Sequence, residues 1–452
     1  MRVTLLNNSF VLGRRDNLEE TAPHIRLGIA SLAAYLRQQG TPVALLDPHA
    51  ESLGLAPATE RILETAPDLV ALPAYTEEIM HAAAIAERLK QRRPDLPVVV
   101  GGPHVSALPV ETLTEFPQFD LGVVGEGELT LAEIAAGRPP AEIAGLVWRD
   151  REGVVRQTPP RELIASLDDL PDPAFDLYAL ERYPHYLPLE PLRGCPYGCV
   201  FCYRALGTRA RYKSPERIVA EMERAIRDFD CRNFRFVAGT FPLGRAHAAQ
   251  VFEALLQRGL RVTWSASARV DTLDDELLGL MERAGCVKLQ IGVESGDEEL
   301  LNLCGKGITP GAAEEVFRLC RRHGIQAGAN FILGLPGETR ESLRKTRRLA
   351  LRLTQHACGS NFAILTPYPG TQVREMALRH EHGLRLKSED WQDYGKQAGQ
   401  ALEHEAFPGR SLLRWQTGMY LSLFLRRPRR LLVALTRNSG RALLQAVRRL
   451  VK

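Results

Sequence analysis

The chain has 452 residues, 45% of them hydrophobic, with 25% charged and a formal net charge of +4. That length suits two or three domains, and the ordinary apolar share excludes a disordered or coiled-coil chain. No run of 18 or more apolar residues occurs, which argues against a transmembrane helix.

From the amino terminus, MRVTLLNNSF reads as a first buried strand rather than an export signal, so the expected location is the cytoplasm. Short apolar runs alternate with amphipathic stretches over the first 150 residues, the pattern of a parallel sheet wrapped by helices. Val3 to Leu6, Val43 to Leu46, Leu69 to Leu72, Val98 to Val100 and Leu121 to Val124 are the expected strands. Between the first two, Ile25, Ile29, Leu32 and Leu36 fall on one helical face, and Gly40 closes that helix. Ligands of such doubly wound sheets sit at the carboxyl ends of the strands. GGPH (Gly101, Gly102, Pro103, His104) and GEGE (Gly125, Glu126, Gly127, Glu128) both fall at those ends, although tight turns alone would also require glycine.

Residues 1–140 are therefore one expected domain. Residues 141–187, rich in Pro and Asp, show no long periodic element and read as a linker. From 188 to 371 the alternation resumes, with strands expected near Leu189 to Arg193, Phe234 to Val237, Thr263 to Ser265, Lys288 to Gly292, Ala327 to Leu333 and Asn361 to Leu365. Six such units predict a partial (β/α)6 TIM-type barrel with its site at the carboxyl ends of the strands. Residues 372–452 are expected to be a helical carboxyl-terminal region. Its last 47 residues, from Ala406, hold eleven Arg or Lys and no acid.

Eight cysteines in a chain without an export signal predict buried thiols plus one ligand group. Cys231, Cys286, Cys304, Cys320 and Cys358 are scattered, whereas RGCPYGCVFCYRALG sets Cys195, Cys199 and Cys202 in a C-x3-C-x2-C array just after a strand. Structural zinc takes four protein ligands, and no fourth cysteine stands nearby. Three thiolates on one loop fit a 4Fe-4S cluster that keeps one iron free of protein.

On these residues the chain resembles the radical S-adenosylmethionine (SAM) superfamily, in the group whose barrel follows a flavodoxin-like, cobalamin-binding-type domain. The resemblance implies that the open iron chelates SAM and that one electron cleaves it to a 5'-deoxyadenosyl radical. It places Phe201 beside the adenine. In WSASARVD and IGVESG it puts Arg269, Glu294 and Ser295 on the amino-acid portion or ribose of SAM, and in FILGLPGET it lets Gly334 and Gly337 bring backbone near the adenine, with Glu338 starting a helix. TPYPGT ends the last barrel strand. One departure stands out: relatives carry an acidic pair after the second barrel strand, where this chain has Ala238, Gly239 and Thr240.

RLGIASLAAYL, GGPHVSALP and GEGE resemble the cobalamin domain of the same group, which implies corrin contacts at Gly101, Gly102, His104, Gly125, Glu126 and Gly127. The loop after the first strand, NNSFVLGRRDN, has no histidine, so cobalamin is expected without a protein imidazole on cobalt. His49, in a D-x-H after the second strand, reads as a surface loop residue.

The expected reaction is cobalamin-dependent methylation of an unactivated carbon in a specialised metabolite or lipid. The alternatives are a cobalamin-independent radical dehydratase, cyclase or rearrangement enzyme, and a non-catalytic cluster or corrin sensor. Expected partners are a small-molecule substrate and a reducing donor such as a flavodoxin or ferredoxin. The basic tail, broken by Pro428 and Gly440, predicts two short amphipathic helices that lie on an anionic membrane or pack on the barrel. It lacks the aromatic interleaving of a nucleic-acid binder.

Overall fold

The computed structural model describes residues 1–7, 23–395 and 400–426. Most of the loop NNSFVLGRRDN and the basic tail from residue 427 lie outside the described residues. The chain divides into two compact units. One is the amino-terminal part through Pro196 together with Tyr203–Ala238; the other is Tyr197–Cys202 together with the chain from Gly239 onward.

In the first unit, β1 (Val3–Leu6), β2 (Val43–Leu46), β3 (Leu69–Pro73), β4 (Val98–Gly101) and β5 (Leu121–Val123) are parallel and lie in the order β2-β1-β3-β4-β5. That is the flavodoxin-like order, whose switch point lies between β1 and β3. Strands covered on both faces need near-continuous apolar runs, and Val3, Leu5, Leu6, Val98 and Val100 are fully buried. The helix Leu27–Gln38 packs Ile29, Ala33 and Leu36 into this core and ends where Gly40 takes a positive φ of 76°.

The expected linker contributes two further strands. β6 (Leu146–Arg149) and β7 (Val155–Gln157) extend the sheet antiparallel beyond β5. They form a hairpin whose turn is tied by the Asp150 carboxylate, which accepts from the Glu152 and Val154 amides. These elements are too short to show periodicity, yet pairing buries Leu146 and Val147. The rest of the segment is a chain of short 3-10 turns, with Phe175, Tyr178 and Tyr183 buried. Also in this unit, β8 (Leu187–Leu189), β9 (Leu192–Arg193), β10 (Arg211–Tyr212) and β11 (Asn233–Phe236) follow, with β8 parallel to β11 and β9 antiparallel to β10.

The second unit carries β12 (Thr263–Arg269), β13 (Cys286–Glu294), β14 (Gln326–Leu333) and β15 (Gly359–Ile364), parallel and in chain order. Side chains alternate across a strand. One face presents Ala266, Ala268, Leu289, Ile291, Ala327, Ala329 and Phe331, all buried. The other presents Ser267 beside Gln290, and Arg269, Gly292, Asn330 and Asn361 in one row. The small antiparallel pair β16 (Leu384–Leu386) and β17 (Leu402–His404) precedes the helix Ser411–Arg426. That helix packs against β15: Gln416 Nε2 donates to the Phe362 carbonyl at 2.7 Å, and the Tyr420 hydroxyl meets the Phe362 amide at 3.1 Å and Asn361 Oδ1 at 2.9 Å.

Candidate active site

The cysteine loop is closed at its base by the β9–β10 pair, and the Cys195 amide donates to the Gly207 carbonyl at 3.2 Å. None of the three is in a disulfide; Cys195 is half-buried, Cys199 buried and Cys202 exposed. Gly194, with φ of 85°, brings its backbone so near the returning arm that an added Cβ would lie 2.2 Å from the Arg209 carbonyl oxygen. In the second unit, the Val200 amide donates to the Cys304 carbonyl, and a Cβ on Gly305 would stand 2.9 Å from the Gly198 oxygen. Two glycines thus let backbone press against the loop. Among the described residues, no three His, Cys, Asp or Glu side chains converge at the spacing of a single metal ion.

Arg269, at the end of β12, holds the loop from the side. Its Nη1 donates to Cys199 Sγ at 3.3 Å, its Nε to Asp271 at 2.8 Å and its Nη2 to the Lys306 carbonyl, and its guanidinium stacks 3.6 Å from the Tyr197 ring centroid. Arg269, expected at SAM, is thus engaged with the cluster loop, with Asp271 and with the Lys306 carbonyl.

Lys306 is the residue that sequence reading missed. Its Nζ donates to Glu294 Oε1 at 2.7 Å, and both side chains are buried. Through its carbonyl and its ammonium it joins Arg269 to Glu294, two of the residues expected at SAM. The available signal was Gly305-Lys306-Gly307, a lysine set in a glycine turn, where both glycines take positive φ. Glu294 itself has φ of 63°, at the point where the β13–β14 register shifts.

Ser295, expected at SAM, has partners within the chain. It is fully buried, accepts from the Asp297 amide at 3.1 Å and lies 3.2 Å from Thr346 Oγ1, so its hydroxyl organises the start of the next helix. Glu338 also does more than begin a helix: Thr339 caps that helix, whereas the buried Glu338 carboxylate accepts the Gly334 amide at 3.2 Å and a hydrogen bond from Ser342. Burial pushes its carboxyl up to about 7. Gly334, with φ of 84°, and Gly337, with φ of 75°, shape this turn. Phe201 borders the same apolar cluster as Leu335 and Ile332. At the departure from the family pattern, Thr240 is buried and its hydroxyl has no hydrogen-bond partner among the described residues.

At the strand ends of the first unit, Gly102 has φ of 108°, and an added Cβ would strike the Ala74 carbonyl at 2.8 Å. Gly125, with φ of 81°, faces open space, and Gly127 lies under Leu32. Tyr75, after β3 at the switch point, is exposed. His104 is buried, with Nδ1 3.2 Å from Thr76 Oγ1, a core position. Glu126 turns its carboxylate to Arg193 and Arg211. Asp47 binds Tyr183, Asn7 and the turn amides of His49 and Ala50, so the D-x-H stretch ties the later turns to β2, and His49 is half-buried rather than on the surface.

The Radical SAM superfamily model matches residues 189–350, and the B12 binding domain model matches residues 20–135. A protein of Pyrococcus horikoshii named as an uncharacterized methyltransferase is 32% identical over 94% of this chain and 93% of its own length. The chain belongs to the radical SAM superfamily, in the group with a B12 binding domain. Another relative of this radical SAM chain, the anaerobic magnesium-protoporphyrin IX monomethyl ester cyclase of Rubrivivax gelatinosus, is 29% identical over 81% of this chain and 68% of its own. The structure of the radical SAM methyltransferase TsrM from Kitasatospora setae, with cobalamin and a [4Fe-4S] cluster bound, shares its fold at a TM-score of 0.71 and 24% identity, covering 86% of this chain and 81% of that one.

The residues fit the groups this membership implies. For the cluster, the donor set is three cysteine sulfurs on one loop, none of them in a disulfide. For SAM, the buried Thr240 hydroxyl and the Glu294 carboxylate are hydrogen-bonding atoms near strand ends. For the corrin, Gly125 leaves open space at the carboxyl end of β5.

Proposed function

We propose that this radical SAM enzyme transfers a methyl group from cobalamin to an unactivated carbon of a small polar molecule. The Arg269 guanidinium, stacked on Tyr197 and bonded to Cys199, carries the catalytic part of that reading, because it orders the thiol loop from a barrel strand. When bound, the cluster supplies the electron that opens SAM, and the corrin supplies the methyl group.

The protein's own residues do the positioning. Cys195, Cys199 and Cys202 would hold the iron, while Lys306 offers a cation to the SAM carboxylate and Glu294 accepts from the ribose hydroxyls. Thr240 takes the place of the missing carboxylates with a neutral oxygen. The apolar cluster of Val200, Leu335 and Leu365 beside Phe201 keeps water from the adenine side. The polar inner face of β12 to β15, with Ser267, Gln290 and Asn361, favours a substrate with hydrogen-bonding groups over a bare lipid. A flavodoxin or ferredoxin is the proposed electron source in the cytoplasm. No described helix is long and apolar enough to cross a membrane, and the helix Ser411–Arg426 is packed on β15.

The test is anaerobic reconstitution with iron, sulfide and hydroxocobalamin, followed by reduction with dithionite in the presence of SAM. Retained corrin absorbance and 5'-deoxyadenosine formation are expected. Deoxyadenosine without retained corrin would favour ring closure of the kind named for the Rubrivivax relative.

A further inference from the structure

The resemblance places Gly125, Glu126 and Gly127 of the GEGE turn at the corrin, whereas the Glu126 and Glu128 carboxylates are bound by arginines at the base of the thiol loop. Arg193, two residues before Cys195, donates from Nη1 to Glu126 at 3.0 Å, from Nη2 to Glu128 at 2.6 Å and from Nε to Glu190 at 2.8 Å. Arg211, on the opposite arm of the hairpin that closes the cysteine loop, donates to the other Glu126 oxygen at 2.9 Å. That same oxygen accepts the Ile164 amide at 2.7 Å. Arg193 and Glu126 are 4% and 3% exposed, which makes this an interior charge cluster.

Such a cluster is a poor device for stability alone, since apolar residues of similar volume often serve as well or better. What it does supply is fixed geometry. A guanidinium presents a rigid fork, and each carboxylate here is met along a defined direction. Glu126 binds both arms at the base of the thiol loop and is covalently next to Gly125, whose backbone faces open space at the end of β5.

We propose that Glu126, Glu128, Arg193 and Arg211 are positioning residues that lock the base of the cluster loop, and with it Cys195, to the corrin-side turn. This rests on the radical SAM and cobalamin reading above. Displacing Cys195 by a fraction of an ångström would shift the cluster without emptying it.

The experiment uses the full chain reconstituted with cluster and hydroxocobalamin. Two variants are compared: the double apolar replacement Glu126→Met with Arg193→Met, and the single Arg193→Lys, which keeps charge but loses the fork. The readouts are iron and sulfide per chain, corrin absorbance, the electron paramagnetic resonance spectrum of the reduced cluster with and without SAM, and the initial rate of 5'-deoxyadenosine formation. We expect both variants to retain corrin, to show an altered SAM-induced spectrum and to lose at least about tenfold in rate, as small misplacements do. Should the double variant fail to fold, Arg193→Lys carries the same comparison. A folded variant with the wild-type spectrum and rate would overturn the proposal, as would loss of corrin with an unchanged cluster spectrum. A wild-type protein that takes up no cluster or corrin would instead remove the reading of function.

Discussion

Lys306 Nζ lies 2.7 Å from Glu294 Oε1, and this buried pair stands where two loops meet the end of β13. Removing one partner of a buried ion pair strands the other charge, at a cost of about 3–5 kcal/mol. Lys306→Ala should therefore lower stability by that order in urea denaturation. Lys306→Met combined with Glu294→Met should recover most of the loss while SAM binding, followed by equilibrium dialysis, stays impaired. Recovery of both together would show that neither side chain meets SAM.

Arg269→Lys keeps a positive charge but loses the planar stack on Tyr197 and the multiple bonds to Asp271 and Lys306. The reconstituted cluster of that variant should bleach faster in air, and 5'-deoxyadenosine formation should fall by about a hundredfold, as expected for a displaced reacting group. Time-resolved absorbance and product chromatography give both values.

Glu338 supplies a pH dependence. Its folded carboxyl is raised to about 7 by burial, above the ordinary value of 4.5. A raised acid contributes stability that is fully present below the unfolded value and is lost as pH rises through the folded one. Its contribution, on the order of 3 kcal/mol, should fade between roughly pH 4.5 and 7 and be absent above pH 8. Glu338→Gln should flatten that part of the stability profile, and the difference from wild type should show by urea titration at several pH values. Parallel profiles for the two proteins would contradict this account.

Gly194→Ala tests the close backbone approach at the thiol loop. The new methyl would stand 2.2 Å from the Arg209 carbonyl at a φ of 85°. Strain of this kind costs about 1–3 kcal/mol, so the variant should fold with lower stability and bind less iron per chain. Gly198→Ala, where an added Cβ meets nothing within 4 Å, is the matched control and should behave as wild type.

Much of the fold was legible because the relevant signals are local. Val3 to Leu6 and Val43 to Leu46 are observed within the expected bounds, the first because a doubly covered strand must be apolar throughout. The β6–β7 hairpin was overlooked, although Asp150 to Gly153 is a serviceable turn between Trp148 and Val155. Its two strands gain stability from an existing sheet edge, and only tertiary structure reveals that edge. The spacing of Cys195, Cys199 and Cys202 is itself a local signal, because one short loop carries all three.

Long-range pairs were not legible. Nothing local connects Glu126 to Arg193, 67 residues later, so the GEGE stretch gives no sign of the ion pairs that its carboxylates make. The Ser295 contact is hidden from the sequence for a similar reason: its neighbour Thr346 arrives from a helix 51 residues on. Lys306 had a weak local sign in its flanking glycines, but its partner Glu294 precedes an intervening helix.

The last described helix has a bearing on solubility. β15 is the rim strand of its sheet, and the outward amide and carbonyl of Phe362 are consumed by Tyr420 and Gln416 instead of by another strand. A protein shortened before Ser411 would present that rim bare, as a template for pairing with further copies. Its expected failing is self-association into aggregates during expression, even with every proposed cofactor ligand still in place.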